Sequence, residues 1–415
     1  MTHPLPHCVI NDDIKGELFS YCSINRLNTF LIVTDQNIYP IFGQKIEEFL
    51  KAQEFNVKTV ILQGNPVIPD EKSIVKILSE LDATARTLIA IGSGTVTDLV
   101  RFVSSRTRSK FISLPTAPSM DGYASTGCAL TLNGMKLTLI SEPPIAIFAD
   151  LGVLTKAPRE MVASGFGDVI GKFTSLADWK LGYLLWDEEY SSEIAQRTRD
   201  NLMKCVQLIP TMEDDWNEYI HALIAALIDV GICMLLVGNS RPASGSEHHC
   251  SHYWELKHLR EGRPDVSHGM KVGFAATLIA KKYEELRKIH INNAKTMLLK
   301  NKPIRREKEI EIIRSAYGQI ADQIIHIQEK YLFISQNSYD QLCEKIIEKW
   351  DAIQQIASSV PSSNEIKNLL RQVGVPTNPR DLHITDLEVE EALQYSHYLR
   401  GNFTILKLFK LMGIQ

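Results

Sequence analysis

Residues 87–95 read Thr87-Leu88-Ile89-Ala90-Ile91-Gly92-Ser93-Gly94-Thr95. A β-prone apolar run enters a glycine turn, and from Asp98 to Ser105 the apolar positions recur at helical spacing. Strand, glycine turn and helix in that order make a cradle for a phosphate. Glycine lets the backbone approach a pyrophosphate closely. The N–H groups and dipole at the start of the next helix favour the anion. The full Gly-x-Gly-x-x-Gly fingerprint is absent, because position 97 is threonine. A plain tight strand-to-helix turn has the same appearance.

The alternation continues on both sides. Phe30 to Thr34 is a strand candidate ending at Asp35, and Ile46 to Phe55 has helical spacing. Lys58 to Leu62 is a second strand that stops before Gly64, followed by a helix over Ile74 to Leu81. Beyond the glycine turn, Lys110 to Leu114 is a further strand closed by Pro115. Strands alternating with helices imply a parallel sheet covered on both faces, a Rossmann-like α/β domain over residues 1–157. At the end of its strand Asp35 is placed to accept hydrogen bonds from an adenosine ribose. A turn or helix-cap role suits the same residue.

From Pro158 onward strand-like runs become scarce. Helical spacing dominates over Ile220–Leu236, Val272–Leu286, Arg305–Gln328 and Tyr339–Ser358. Residues 158–415 therefore form an all-α second domain, with the ligand expected in the cleft between the two. The basic stretch from Lys300 to Lys308 lies in a mixed-charge helical region and reads as a solvated helix face.

Composition narrows the function classes. The 415 residues suit two or three domains. Forty-five basic residues against 49 acidic give a net charge of −4, which argues against nucleic acid as a partner but leaves room for a pocket for one phosphate. Seven scattered cysteines, with no Cys-x-x-Cys pair, argue for reduced thiols in a cytoplasmic protein. Met1 to Cys8 lacks an apolar signal-peptide core. Ala222–Gly238 contains Asp229 and falls short of the ~20 apolar residues of a membrane span, so a buried helix is expected there.

Metal-ligand chemistry is concentrated in the second half. Gly165-Phe166-Gly167-Asp168 sets one acid among glycines where the helical region begins; as an alternative, Asp168 is a helix N-cap. Ser244-Gly245-Ser246-Glu247-His248-His249-Cys250-Ser251-His252 places three histidines within five residues, and on a helix His248 and His252 share one face. His268 follows, next to Gly269. One carboxylate with imidazoles suits Zn²⁺ or another borderline divalent ion, with a position left open for substrate. The metalloprotease pattern His-Glu-x-x-His is absent.

These pieces occur in the order found in the iron-containing alcohol dehydrogenase and dehydroquinate synthase-like superfamily, and they most closely resemble its sn-glycerol-1-phosphate dehydrogenases. The most specific stretch is Leu114-Pro115-Thr116-Ala117-Pro118-Ser119-Met120-Asp121-Gly122-Tyr123-Ala124-Ser125. Gly-x-Gly-Asp at 165–168, Ser-Gly-Ser-Glu-His at 244–248, Ser251-His252, His268-Gly269 and Arg400-Gly401-Asn402-Phe403-Thr404-Ile405-Leu406 also match. The resemblance implies that Asp168, His248 and His268 hold the metal, either Zn²⁺, Ni²⁺ or Fe²⁺. It implies that Asp121 and His252 contact the substrate beside Asp168. Gly94, Thr95, Val96, Thr97, Asp98, Thr116, Ser119 and Ser125 would line NAD(H) or NADP(H), with Asp35 on the ribose.

The implied reaction is hydride transfer between dihydroxyacetone phosphate and sn-glycerol-1-phosphate, in a homodimer. His252 is the candidate proton relay, since imidazole titrates near neutral pH. Asp121 orients the substrate, and Lys172 and Arg241 are candidate phosphate donors. A cyclase of the dehydroquinate synthase type, or a dehydrogenase for another polyol or polyol phosphate, are the alternatives. Three positions depart from the family pattern: Ser93 in the glycine loop, Met120 where many relatives have His, and Phe403 where Tyr is usual.

Overall fold

A computed structural model describes residues 4–132, 135–264, 266–300 and 306–414. The strands are β1 (His7–Asn11), β2 (Thr29–Asp35), β3 (Asn56–Leu62), β4 (Thr87–Gly92), β5 (Phe111–Pro115), β6 (Gly127–Leu132), β7 (Met135–Ile140) and β8 (Ala146–Asp150). Interleaved with them are α1 (Lys15–Ile24), α2 (Gln44–Ala52), α3 (Glu71–Leu78), α4 (Gly94–Thr107) and α5 (Leu151–Leu154). Then follow α6 (Arg159–Ile170), α7 (Lys172–Trp186), α8 (Ser192–Leu208), α9 (Trp216–Val237), α10 (Ser246–Glu261) and α11 (His268–Arg287). The rest are α12 (Ile291–Lys300), α13 (Arg306–Tyr317), α14 (Ala321–Ile327), α15 (Glu329–Leu332), α16 (Gln336–Glu348), α17 (Trp350–Ser358), α18 (Ser363–Gln372), α19 (Asp386–Tyr395) and α20 (Ile405–Met412).

Two compact units arise. The first comprises Met1–Val169, Asp200–Asn239 and Leu259–Arg263; the second comprises Ile170–Arg199, Ser240–His258 and Pro264–Gln415. Nearly all of α6, the end of α8 and the whole of α9 fold with the sheet-bearing unit.

The first unit is built on a six-stranded sheet in the order β1-β8-β5-β4-β2-β3, with every pair parallel. β6 and β7 form a separate antiparallel pair. Strand side chains alternate between faces. On one face Leu31, Val33, Leu88 and Ala90 pack with Ile74 and Ile77 of α3, with Leu99, Val100 and Val103 of α4, and with Cys128 and Leu130 of β6. On the other, Phe30, Ile32, Ile89 and Ile91 pack with Leu18 and Cys22 of α1 and with Ile46 and Leu50 of α2. Both faces of the central strands are thus dry, which is why β4 and β5 read as unbroken apolar runs. Truncating one of these isoleucines or leucines to alanine costs about 2–5 kcal/mol.

All four strands expected from the sequence are present as β2 to β5, and β1, β6, β7 and β8 are additional. α9 is the described helix long and apolar enough to cross a membrane. It packs within the first unit, burying Ile220, Leu223, Ile224 and Leu227. The helix expected over 305–328 is broken by a short 3-10 turn at Gly318–Ile320. Arg305, with the rest of the basic stretch at 301–304, lies outside the described residues. All seven cysteines are unpaired.

Candidate active site

In the first unit the topology prepares a crevice. β2 pairs with β3 on one side and with β4 on the other, while β4 pairs onward with β5. Connections leaving the carboxyl ends of β2 and β4 therefore run in opposite directions, the arrangement that opens a ligand crevice in doubly wound sheets. The register pairs Thr34 with Ile91, so Asp35 and Gly92 end side by side. α4 begins immediately afterward, at Gly94, and its first N–H groups have no partner within the helix.

The glycines here are required by close approach. A Cβ on Gly92 would lie 2.6 Å from Val96 Cγ2, and one on Gly94 would overlap the Met120 sulfur. Asp35 serves its turn: Oδ1 accepts hydrogen bonds from the N–H groups of Asn37 (2.8 Å) and Ile38 (3.0 Å). Thr95 is half-buried, whereas Val96, Thr97 and Asp98 are buried. Val96 belongs to the sheet core, and Thr97 Oγ1 donates to Ser93 O at 3.2 Å. Asp98 pairs with Arg101 and accepts from Ala129 N at 3.1 Å. The helix start thus offers backbone N–H groups more than these side chains.

Arg101, fully buried, organises the segment after β5. It donates to Gly122 O (2.6 Å), Tyr123 O (3.0 Å) and Gly127 O (2.8 Å). Thr116 N donates to Gly92 O at 3.1 Å, tying the segment to the glycine turn. Ser119 Oγ lies 3.3 Å from the Tyr123 hydroxyl, which donates to Ala117 O at 2.6 Å and whose pKa burial pushes up to about 12. Ser125 Oγ donates to Gly122 O at 3.1 Å.

Two helices clamp the same segment through missing side chains. On α6, a Cβ at Gly165 would overlap Pro118 O. On α9, a Cβ at Gly231 would lie 2.9 Å from Asp121 O. Asp168 is inside α6, which begins at Arg159, so it is not an N-cap. Its fully buried carboxylate accepts the Asp121 N–H at 3.0 Å. The structure therefore brings Asp121 and Asp168 together.

In the second unit, three imidazoles converge. His248 and His252 lie on one face of α10, with ring centroids 6.2 Å apart. His268, the first residue of α11, lies 5.3 Å from His248 and 5.2 Å from His252. Each ring is oriented by a buried carboxylate. Glu247 Oε1 takes His248 Nδ1 at 2.8 Å, and the same carboxylate accepts from Thr174 Oγ1 (2.6 Å) and Gly245 N (2.7 Å). Burial pulls the Glu247 pKa up, but the hydrogen bonds, His248 first, hold it below the usual value.

Glu255 holds two rings at once. Oε1 takes His268 Nδ1 at 2.8 Å and Oε2 takes His252 Nδ1 at 3.1 Å, with the buried Lys271 ammonium 3.2 Å from Oε1. Carboxylates on all three Nδ1 atoms assign the proton there and leave each Nε2 lone pair for a ligand. Desolvation pushes the partly buried His252 down to about 4, against the pull of Glu255.

A buried network supports this face. Asp178 accepts from Ser246 N (2.7 Å), Tyr283 OH (2.7 Å) and Ile405 N (2.8 Å). Burial first, and Glu247 second, raise its pKa to about 6. Gly245 makes room: a Cβ there would lie 2.9 Å from Asp178 Oδ2. Arg241 is committed to the fold, donating to Asp178 O (2.6 Å) and Phe403 O (3.1 Å) and pairing with Glu188 at 2.7 Å. Lys172 is fully buried at the start of α7. Neither matches the open phosphate donor expected of it.

A family model for iron-containing alcohol dehydrogenase matches residues 9–158. A glycerol-1-phosphate dehydrogenase [NAD(P)+] of Geobacillus stearothermophilus is 33% identical over 407 residues, covering 97% of this chain and 92% of that protein. The chain belongs to the glycerol-1-phosphate dehydrogenase family. In fold, the family member resembles maleylacetate reductase from Agrobacterium tumefaciens (TM-score 0.61, 11% identity, 96% of this chain and 91% of that one). It is also similar to sulfoacetaldehyde reductase from Bifidobacterium kashiwanohense, solved in complex with NAD+ (TM-score 0.60, 13% identity, 99% and 98%).

Sequence reasoning missed the orienting roles of Arg101, Glu247 and Glu255. A signal was present for two of them. Arg101 follows Asp98, and Glu255 follows His252, at i,i+3 on a helix.

Proposed function

We propose that this family member is a metal-dependent, NAD(P)-linked oxidoreductase that interconverts dihydroxyacetone phosphate and sn-glycerol-1-phosphate. The observation that carries the reading is the set of carboxylate-to-Nδ1 bonds, Glu247 to His248 and Glu255 to His268. They aim Nε2 donors of the kind a borderline divalent ion takes. Asp168 completes the ligand set with His248 and His268, and Zn²⁺, Ni²⁺ and Fe²⁺ all suit these donors. Lewis-acid polarisation of the substrate C2 oxygen is the chemistry such an ion supplies. Hydride exchange at the nicotinamide C4 belongs to the dinucleotide.

The chain's own residues do the rest. The first turn of α4 receives the pyrophosphate on its backbone N–H groups, with Thr116, Ser119 and Ser125 along the nicotinamide and Asp35 toward the adenosine ribose. Asp121 orients the substrate. His252, neutral with its proton on Nδ1, accepts the C2 hydroxyl proton at Nε2 in the oxidative direction and returns it in the reductive one. A cytoplasmic homodimer is part of the same reading.

The test is to load the protein with Zn²⁺ or Ni²⁺ and follow NADH and NADPH oxidation with dihydroxyacetone phosphate, with chiral analysis of the product. Metal-dependent oxidation giving sn-glycerol-1-phosphate is expected. A protein that binds dinucleotide yet oxidises neither cofactor with either metal contradicts the reading.

A further inference from the structure

A cavity of about 410 Å³ lies within the second unit, where α7, the first half of α8 and α17 meet. Its floor is apolar: Leu176, Ala177, Ala195 and Ile356 are all buried. Tyr183 and Tyr190 stand at its wall, and two cations, Lys180 and Arg199, line it as well. No aspartate or glutamate does. Neither cation has a carboxylate partner among the described residues. Apolar walls with a few polar groups, at this volume, are what a small-molecule site offers.

The aromatic wall is held in place. Trp179, fully buried, donates from Nε1 to Glu189 O at 2.7 Å, and the Tyr190 ring meets it edge-on with centroids 4.7 Å apart. Tyr183 packs on Tyr190 at 5.5 Å, and Lys180 Nζ lies 5.0 Å from the centre of the Tyr190 ring. The cavity also faces away from the histidine cluster. Thr174 and Asp178, one turn apart on α7, hold Glu247 Oε2 (2.6 Å) and Ser246 N (2.7 Å). At about 3.6 residues per turn, the cavity-lining Leu176 and Lys180 fall on the opposite side of that helix.

We propose that this cavity is a second ligand site, distinct from the active site, that binds a small aromatic anion: a single ring carrying a carboxylate or a phosphate. The ring is covered by the apolar floor and by the tyrosine wall, whose π-faces favour an offset or edge-on aromatic partner. The anionic group is taken by Arg199, whose planar fork matches carboxylate and phosphate alike, with Lys180 as a supporting point charge. Two cations with no acid among the lining residues select an anion over a neutral or cationic molecule of the same shape. The site stands apart from the oxidoreductase reading, since none of its residues is placed at the metal, the dinucleotide or the substrate.

The experiment measures binding of phenylacetate, phenyl phosphate and neutral benzyl alcohol, by calorimetry, to the zinc-loaded full chain and to its Arg199→Gln and Ala352→Trp variants. Ala352 lines the cavity from α17, so the indole fills the space without removing a charge. Thermal midpoint and zinc content are checked in each. Wild type is expected to bind at least one of the two anions, the tighter naming the head group, and to bind benzyl alcohol roughly tenfold more weakly than that anion. Arg199→Gln should weaken the anion roughly tenfold, as loss of a charge-assisted hydrogen bond predicts, and Ala352→Trp should weaken it at least as much.

A wild type that binds neither anion overturns the proposal, and so does one that binds benzyl alcohol as tightly as the anions. Folded, zinc-replete Arg199→Gln and Ala352→Trp proteins whose anion affinity stays within twofold of wild type also overturn it, because the anion then sits elsewhere. Binding that both variants weaken supports the site whether or not the protein oxidises either cofactor.

Discussion

The 116–126 segment of the first unit and the α10 histidines of the second unit solve one problem in opposite ways. Both must hold functional groups still. The first is main chain, fixed by a buried cation and by the absence of side chains: Arg101 gathers three carbonyls, while Gly165 and Gly231 let α6 and α9 close on the segment. The second is a set of side chains fixed by buried anions, with Glu247 and Glu255 each locking imidazole nitrogens. A cation is suited to gathering carbonyls and a carboxylate to assigning a ring proton. The first device supports shape and the second supports chemistry, so damage to them should differ in kind.

The largest effect is expected at Arg101. Arg101→Ala leaves Asp98 without its ion-pair partner and removes the guanidinium from three carbonyls, a loss of about 3–5 kcal/mol in stability by analogy with other broken buried pairs. Urea unfolding measures it. A loss under about 1 kcal/mol would mean that the segment is held by the glycine contacts alone, and the contrast would lose its first term.

Asp178, beneath the histidines, gives an effect of pH. Its folded pKa of about 6 lies above the usual carboxylate value of about 3.9, so the fold favours the protonated acid. Its contribution is complete below about pH 4 and is lost as pH rises through 6, amounting to about 2–3 kcal/mol by pH 7. The pH 4-to-7 stability profile of Asp178→Asn should therefore fall less steeply than that of wild type. Parallel profiles would remove Asp178 as a source of tension under the site.

Glu255→Gln should act on function first. It weakens the orientation of both His252 and His268, and losses of this kind lower metal affinity about 10- to 100-fold. Competition with a chromogenic chelator reads this directly, with circular dichroism as the control. Unchanged affinity would show that the rings are held by packing instead.

Much of this contrast was legible in the sequence, though unevenly. β2 to β5 announced themselves because both faces of a central parallel strand are dry, which leaves long apolar runs. β1 and β8 did not: β1 is a largely exposed edge, and its pairing with β8 joins residues about 140 positions apart. Asp121, Asp168, His248 and His268 stood out as candidates because their spaced motifs agree in order. Glu255 was missed although it follows His252 at i,i+3, because that spacing places it beside one ring and only the fold sets it between two. Helical spacing tells which segments are helices, and not that α9 packs with the sheet-bearing unit.

The most direct test of the central claim is the metal content of His248→Ala after loading with Zn²⁺, measured by mass spectrometry and paired with NADH and NADPH oxidation by dihydroxyacetone phosphate. The account predicts a folded protein that retains little zinc and oxidises neither cofactor, beside a wild type with one zinc per chain and metal-dependent turnover. Full turnover by a folded, zinc-free His248→Ala protein would contradict it.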